Sequence, residues 1–106
     1  MKYSLIIPTY EEKDNIAILI SMIDKYLTQD KIDYEIIIVE DNSPDGTKNE
    51  VEKMIKLLGE KKVKVLNRPG KLGLGTAYID GFNLVEGDFI FLMDADFSHH
   101  VSKNVY

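Results

Sequence analysis

Cysteine is absent from the 106-residue chain. That excludes a disulfide, a thiolate metal site and a thiol nucleophile, and it accords with a reducing compartment. Arginine is nearly absent too: Arg68 is the one arginine among 13 basic residues, against 18 acidic ones, so the formal net charge is -5. A surface of that sign repels a phosphate backbone and argues against nucleic-acid binding as the main task. Long apolar runs are also missing. The most apolar stretch, Ile16 to Ile23, is far below the roughly 20 residues that span a bilayer. The apolar run before Pro8 is too brief for a signal-peptide core. Any membrane contact is therefore expected to be peripheral or made through an anchoring partner subunit. No repeat, low-complexity tract or linker divides the chain, and at 44% hydrophobic and 29% charged it reads as one folded domain over 1–106.

What is present is a regular alternation of strand and helix. Leu5-Ile6-Ile7 is a buried strand closed by Pro8, and Asp14 or Asn15 is placed to cap a helix whose Ile16, Leu19, Ile20, Ile23 and Leu27 share one face. Tyr34 to Val39 is apolar on both faces, as a central parallel strand is. The turn formers Asp41 to Gly46 follow, and Thr47 with Glu50 at capping-box spacing opens a helix through Val51, Met54, Ile55 and Leu58 that Gly59 ends. Val63 to Leu66 is a third strand. A glycine-rich loop then leads to a helix carrying Ala77, Tyr78, Phe82 and Val85, and Phe89 to Met93 is a fourth, fully apolar strand. This pattern predicts an α/β fold with right-handed crossovers and a Rossmann-like parallel sheet covered by helices on both faces. The chain stops soon after Asp96, before the further strands that usually complete such a sheet, so the expectation is the front half of a larger fold.

Ligands of open parallel sheets bind beyond the carboxyl ends of the strands, where strand order reverses. With an order 3-2-1-4, Pro8-Thr9-Tyr10-Glu11-Glu12, Glu40-Asp41 and Asp94-Ala95-Asp96 converge on one edge. Alternate positions point the same way, so Asp94 and Asp96 face a common ligand, and paired carboxylates call for a cation. Hard oxygen donors suit Mg²⁺ or Mn²⁺ bridging a nucleotide diphosphate. The plainer reading of the same pair is a strand cap and a turn cap.

Several patterns point elsewhere. Asp41, Ser43, Asp45, Gly46 and Glu52 match an EF-hand loop in spacing, but an apolar strand precedes them where a helix is required, and Pro44 and Lys48 fit poorly. Gly73-Leu74-Gly75 lacks the third glycine of a dinucleotide fingerprint and follows the third strand. Its amides suit either a phosphate at a helix N-terminus or a tight turn. His99 and His100 have no acidic or cysteine partner at zinc spacing and are placed to shape an acceptor side. Lys71 and Arg68 suit phosphate neutralisation or solvated loop charge.

Taken together, Ile7 to Glu12, Glu40 to Thr47, Lys71 to Tyr78 and Met93 to His100 resemble the family 2 glycosyltransferases, and within them the dolichol-phosphate mannose synthases. That resemblance implies a GT-A fold, of which this chain is the N-terminal donor-binding half. It implies GDP-mannose as donor, dolichyl phosphate as lipid acceptor and an inverting transfer at the cytosolic face of the endoplasmic reticulum. The product would be dolichyl β-D-mannosyl phosphate, the donor for N-glycan, O-mannosyl and GPI-anchor synthesis. By motif position, Pro8, Tyr10 and Glu12 line the nucleotide pocket and Val39 and Asp41 meet the base and ribose. Asp94, Ala95 and Asp96 handle the diphosphate, and Asp96, the catalytic residue of the motif, approaches Mg²⁺ or Mn²⁺ with Ser98. Val101 stands where relatives carry proline. Two other readings fit the acids: a Mg²⁺-dependent phosphohydrolase with Asp94 as nucleophile, and a non-catalytic nucleotide-binding fragment.

Overall fold

The first strand of the computed structural model, β1 (Lys2–Thr9), is followed by α1 (Ile16–Gln29), β2 (Asp33–Glu40), α2 (Thr47–Leu58), β3 (Val63–Asn67), α3 (Leu74–Phe82) and β4 (Phe89–Leu92). The structure describes residues 1–70 and 72–95. Lys71, Asp96, Ser98, His99, His100 and Val101 lie outside the described residues. The four strands form one parallel sheet in the order β3-β2-β1-β4, the order under which the strand-end acids converge. Leu5, Ile6 and Ile7 are 3% exposed or less, and Ile36 through Val39 are wholly buried, so the two central strands are covered on both faces. Leu5, Ile7, Ile36 and Ile38 pack with Ile16, Leu19, Ile20 and Ile23 of α1 and Val51 and Met54 of α2. On the other face, Ile6, Ile37 and Val39 pack with Ala77 of α3, with Leu84 and Val85 alongside. Each fully buried aliphatic side chain contributes about 1.5–3 kcal/mol of transfer free energy, so these two layers dominate the stability of the sheet.

Pro8 does not close β1. The strand runs on to Thr9, with Pro8 in register with Val39. The Ile6 carbonyl accepts from the Met93 N–H, so even-numbered residues of β1 direct their backbone groups toward β4, whose pairing ends at Ile6 and Leu92. The N–H that proline lacks would therefore point beyond the last ladder bond, where no partner is required. β4 is as apolar as the central strands but lies at the edge, leaving Phe89, Ile90 and Leu92 at 45%, 38% and 50% exposure.

The helix caps differ from expectation. Asn15 occupies the N-cap position of α1 without a side-chain cap bond; its amide donates instead to Glu12 at 3.5 Å. Thr47 is the first residue of α2 behind a left-handed Gly46, and no capping box forms with Glu50, which pairs with Lys53 at 2.9 Å. Asp45 caps in its place, accepting from the Thr47 N–H at 3.0 Å. α3 ends at Phe82, which is 58% exposed, so Val85 reaches the core from the following turn.

Candidate active site

Side-chain alternation decides which strand-end residues meet. On β2, Ile36 and Ile38 face α1 and α2 while Ile37 and Val39 face α3. Glu40 and Asp41, adjacent in sequence, therefore part company. Glu40 is 1% exposed and accepts from the Thr9 hydroxyl at 3.0 Å, the Ser43 N–H at 2.8 Å and the Ser43 hydroxyl at 2.6 Å. It is a structural bracket and not the ligand-facing acid expected from its place beside Asp41. Asp41 lies on the α3 side, as do Pro8 and Tyr10, which continue the Ile6 face of β1.

These residues line a cleft of about 200 Å³ formed by Pro8, Thr9, Tyr10, Glu12, Asp41, Gly73 and Ala77. Four of the expected site residues, Pro8, Tyr10, Glu12 and Asp41, are thus brought together. Val39 lies beneath, fully buried in the α3 layer, and does not line the cleft. Gly73 contributes a wall and has φ +103°, a backbone conformation that glycine tolerates and other residues resist.

The β1–α1 loop beside the cleft is held from the β2–α2 loop. The consecutive N–H groups of Glu11, Glu12 and Lys13 donate to the Ser43 hydroxyl at 2.9 Å, the Thr47 hydroxyl at 2.9 Å and the Asp45 carboxylate at 3.3 Å. Glu11 has φ +55°, a strained value that this bracing maintains. The Asp45 carboxylate is desolvated, yet hydrogen bonds from Thr47 and Lys13 hold it below the ordinary range. With Asp45 so engaged and Asp41 bound to Arg68, the EF-hand spacing has no calcium loop behind it. No cluster of three or more histidine or acidic side chains suited to a metal occurs among the described residues.

Arg68 is neither a solvated loop charge nor placed to neutralise a phosphate in solvent. It is 5% exposed and forks onto Asp41, Nε to Oδ1 at 2.6 Å and Nη2 to Oδ2 at 2.8 Å. It also donates to Thr76 Oγ1 at 3.1 Å, Asp80 Oδ2 at 3.0 Å and the Gly73 carbonyl at 3.3 Å. The hydrogen bonds with Asp41, joined by Asp80, raise its pKa further against the lowering effect of burial and keep the guanidinium charged. Sequence reasoning missed this hub. The signal available was a single arginine in a lysine-rich chain, placed where β3 ends beside Asp41.

At the end of β4 the alternation repeats. Met93 and Ala95 pack into the α1–α2 layer at 1% and 4% exposure, which leaves Asp94 on the α3 side. Its charge acts on Tyr78 of α3, whose pKa is raised first by burial and then by Asp94. Asp94 takes no hydrogen bond or ion pair among the described residues. Its carboxylate is a hard oxygen donor not engaged by a side-chain cation among the described residues, and that chemistry fits Mg²⁺ or Mn²⁺. The expected metal residues Asp96 and Ser98 lie outside the described residues.

The family model described as glycosyl transferase family 2 matches residues 4–103. A dolichol-phosphate mannosyltransferase of Pyrococcus furiosus is 44% identical over 99 residues, covering 93% of this chain and 27% of its own length. A polyprenol monophosphomannose synthase of Mycolicibacterium smegmatis is 37% identical over 98 residues, covering 90% and 35%. The chain therefore spans about a quarter to a third of the length of these relatives. A solved structure, the mannosyltransferase PcManGT from Pyrobaculum calidifontis in complex with GDP-Man and Mn²⁺, superposes with a TM-score of 0.69. At 22% identity, over 89% of this chain and 27% of that one, it is a likeness of fold, the GT-A type. With almost its whole length matched by one family model, and that family's fold in the sheet, this chain belongs to glycosyl transferase family 2.

Proposed function

We propose that the chain forms the donor-binding part of a mannosyltransferase that moves mannose from GDP-mannose to dolichyl phosphate with inversion, giving dolichyl β-D-mannosyl phosphate. The observation that carries this reading is the cleft on the α3 side, where Pro8, Tyr10, Glu12 and Asp41 converge and Asp94 stands on the same side beside Tyr78. The names of the relatives support the choice of sugar and lipid.

In this reading Pro8, Tyr10 and Glu12 enclose the nucleotide and Asp41 meets the base and ribose over the Val39 floor. Asp94, the Ala95 backbone and Asp96 face the diphosphate. Asp94, Asp96 and Ser98 would hold Mg²⁺ or Mn²⁺. Such an ion, when bound, offsets the negative charge that develops on departing GDP. The acceptor phosphate has a second pKa of about 6 and is largely ionised at neutral pH, so the chain needs no strong general base. Work at a lipid acceptor places the protein at a membrane surface, in eukaryotes the cytosolic face of the endoplasmic reticulum. No helix among the described residues is long and apolar enough to cross a membrane.

Titration calorimetry of the chain with GDP-mannose tests the reading. The expected result is 1:1 binding that requires Mn²⁺ or Mg²⁺ and is weakened at least about tenfold by Asp96→Ala or Asp94→Asn, the loss expected for a charge-assisted contact. Binding indifferent to both substitutions, or release of phosphate from simple phosphoesters without nucleotide binding, would sink it.

A further inference from the structure

We infer that the outward face of α1 pairs with the same face of a second copy of this chain, the two helices running antiparallel about a twofold axis. α1 is apolar on two opposite sides. Ile16, Leu19, Ile20 and Ile23 pack toward the sheet and are 6% exposed or less. On the far side Ala17, Ile18, Ser21, Met22 and Lys25 line a groove of about 350 Å³, and Ile18 is 55% exposed. A helix that is apolar all round belongs between two surfaces, and the sheet supplies one of them.

The side chains on this face point to its occupant. Residues four apart on a helix line up into ridges, and the face carries two: Asp14, Ile18 and Met22 in one, Ala17, Ser21 and Lys25 in the other. Asp14 precedes the helix but shares its winding, because the Ile16 N–H already bonds the Glu12 carbonyl at 2.9 Å. The first ridge is acidic and then bulky; the second is small and then basic. Two copies turned antiparallel about a point midway between Leu19 and Ile20, at the shallow crossing of about 20° usual for such pairs, set the first ridge of each against the second ridge of the other. Asp14 then meets the partner's Lys25, Ile18 the partner's Ser21, and Met22 the partner's Ala17. One register thus satisfies a match of charge and two of size, and the twofold repeats all three. Neither Asp14 nor Lys25 has an ionic or hydrogen-bonding side-chain partner among the described residues, so both charges are available to a neighbour. An anionic membrane would call for a cluster of lysines on this face, whereas its one acid and one base balance. The nucleotide cleft lies on the α3 side of the sheet, so the pairing leaves it open. The contact spans about 16 Å of helix, less than a standard interface, which makes the dimer a reversible one of micromolar affinity.

Sedimentation velocity of the purified chain over a concentration series tests the pairing. The unaltered chain should pass from monomer to dimer as its concentration rises. Asp14→Lys and Lys25→Asp each set like charges opposite one another twice per dimer, so each should weaken dimerisation at least about tenfold, with the circular dichroism spectrum unchanged. An equimolar mixture of the two variants brings opposite charges back to both contacts and should recover most of the lost affinity. The double variant Asp14→Lys, Lys25→Asp, which restores both contacts within one sequence, should dimerise as well. A chain that stays monomeric up to about 1 mM overturns the inference. So does a mixture as monomeric as its components. Association that ignores both charge reversals also overturns it, because copies would then meet elsewhere, as at the exposed edge of β4.

Discussion

Glu35 is a fully buried carboxylate near the start of β2, far along the strand from the cleft. It accepts from the Ser4 hydroxyl at 2.6 Å, the Lys64 ammonium at 2.7 Å and the Glu86 N–H at 2.6 Å. Burial pushes its pKa up, but the bonds from Lys64, Ser4 and Glu86 more than offset this, and the group lies below its ordinary 4.5. Because the folded state favours the ionised form, this stabilisation is complete above about pH 4.5 and is lost as pH falls through the lowered value. Glu35→Gln should cost roughly 1–3 kcal/mol at neutral pH. It should also flatten the acid limb of stability, as urea unfolding across pH would record; an unchanged acid limb would refute the assignment. Gly81 makes a second prediction. Alanine in an exposed helix is favoured over glycine by about 1 kcal/mol. Here, however, a Cβ would lie 2.6 Å from Ile6 Cγ2 and 3.0 Å from Val39 Cγ2, in a layer already packed. Overpacking of that kind costs typically about 1–3 kcal/mol, so Gly81→Ala should lower the thermal midpoint.

At the scale of elements, the two loops at the carboxyl edge form one unit. Asp45 links them, receiving the Thr47 N–H, the Thr47 hydroxyl and the Lys13 N–H. Asp45→Ala removes a helix cap, typically worth about 1 kcal/mol, and a brace on the loop that carries Glu12. Amide exchange at Thr47 and Lys13 should accelerate by about fivefold or more, while amides of the central strands keep their protection. Uniform acceleration across the sheet would instead mean that Asp45 supports the whole fold.

For the whole molecule, the uneven covering of the sheet matters most. Phe89, Ile90 and Leu92 of β4 and Ile79 and Phe82 of α3 are all at least 38% exposed, and among the described residues β4 pairs on one side only. Exposed apolar edges promote edge-to-edge aggregation, and a lysine on such an edge opposes it. Leu92→Lys should raise the concentration at which light scattering appears on warming, with little change in the thermal midpoint. An unaltered aggregation threshold would show that association begins elsewhere.

Apolar runs and turn formers determined the four strands, the three helices and their order, because burial of Ile36 to Val39 on both faces allows only a central parallel strand with helices above and below. The strand-end acids were legible for the same reason: parallel strands joined by helices bring the carboxyl ends of β1, β2 and β4 to one edge. What each acid does there was decided by the tertiary structure. Glu40 and Asp41 carry equal charge and adjacent numbers, yet one braces a loop and the other pairs with Arg68. Thr47 and Glu50 had the spacing of a capping box, but Asp45 reached the helix end first. Asp41 and Arg68 stand 27 residues apart and Lys13 and Asp45 stand 32 apart, so no local spacing encodes those bonds. The local ones, Ser43 to Glu40 and Thr47 to Asp45, form because strand alternation and the packed loops set which way each acid faces.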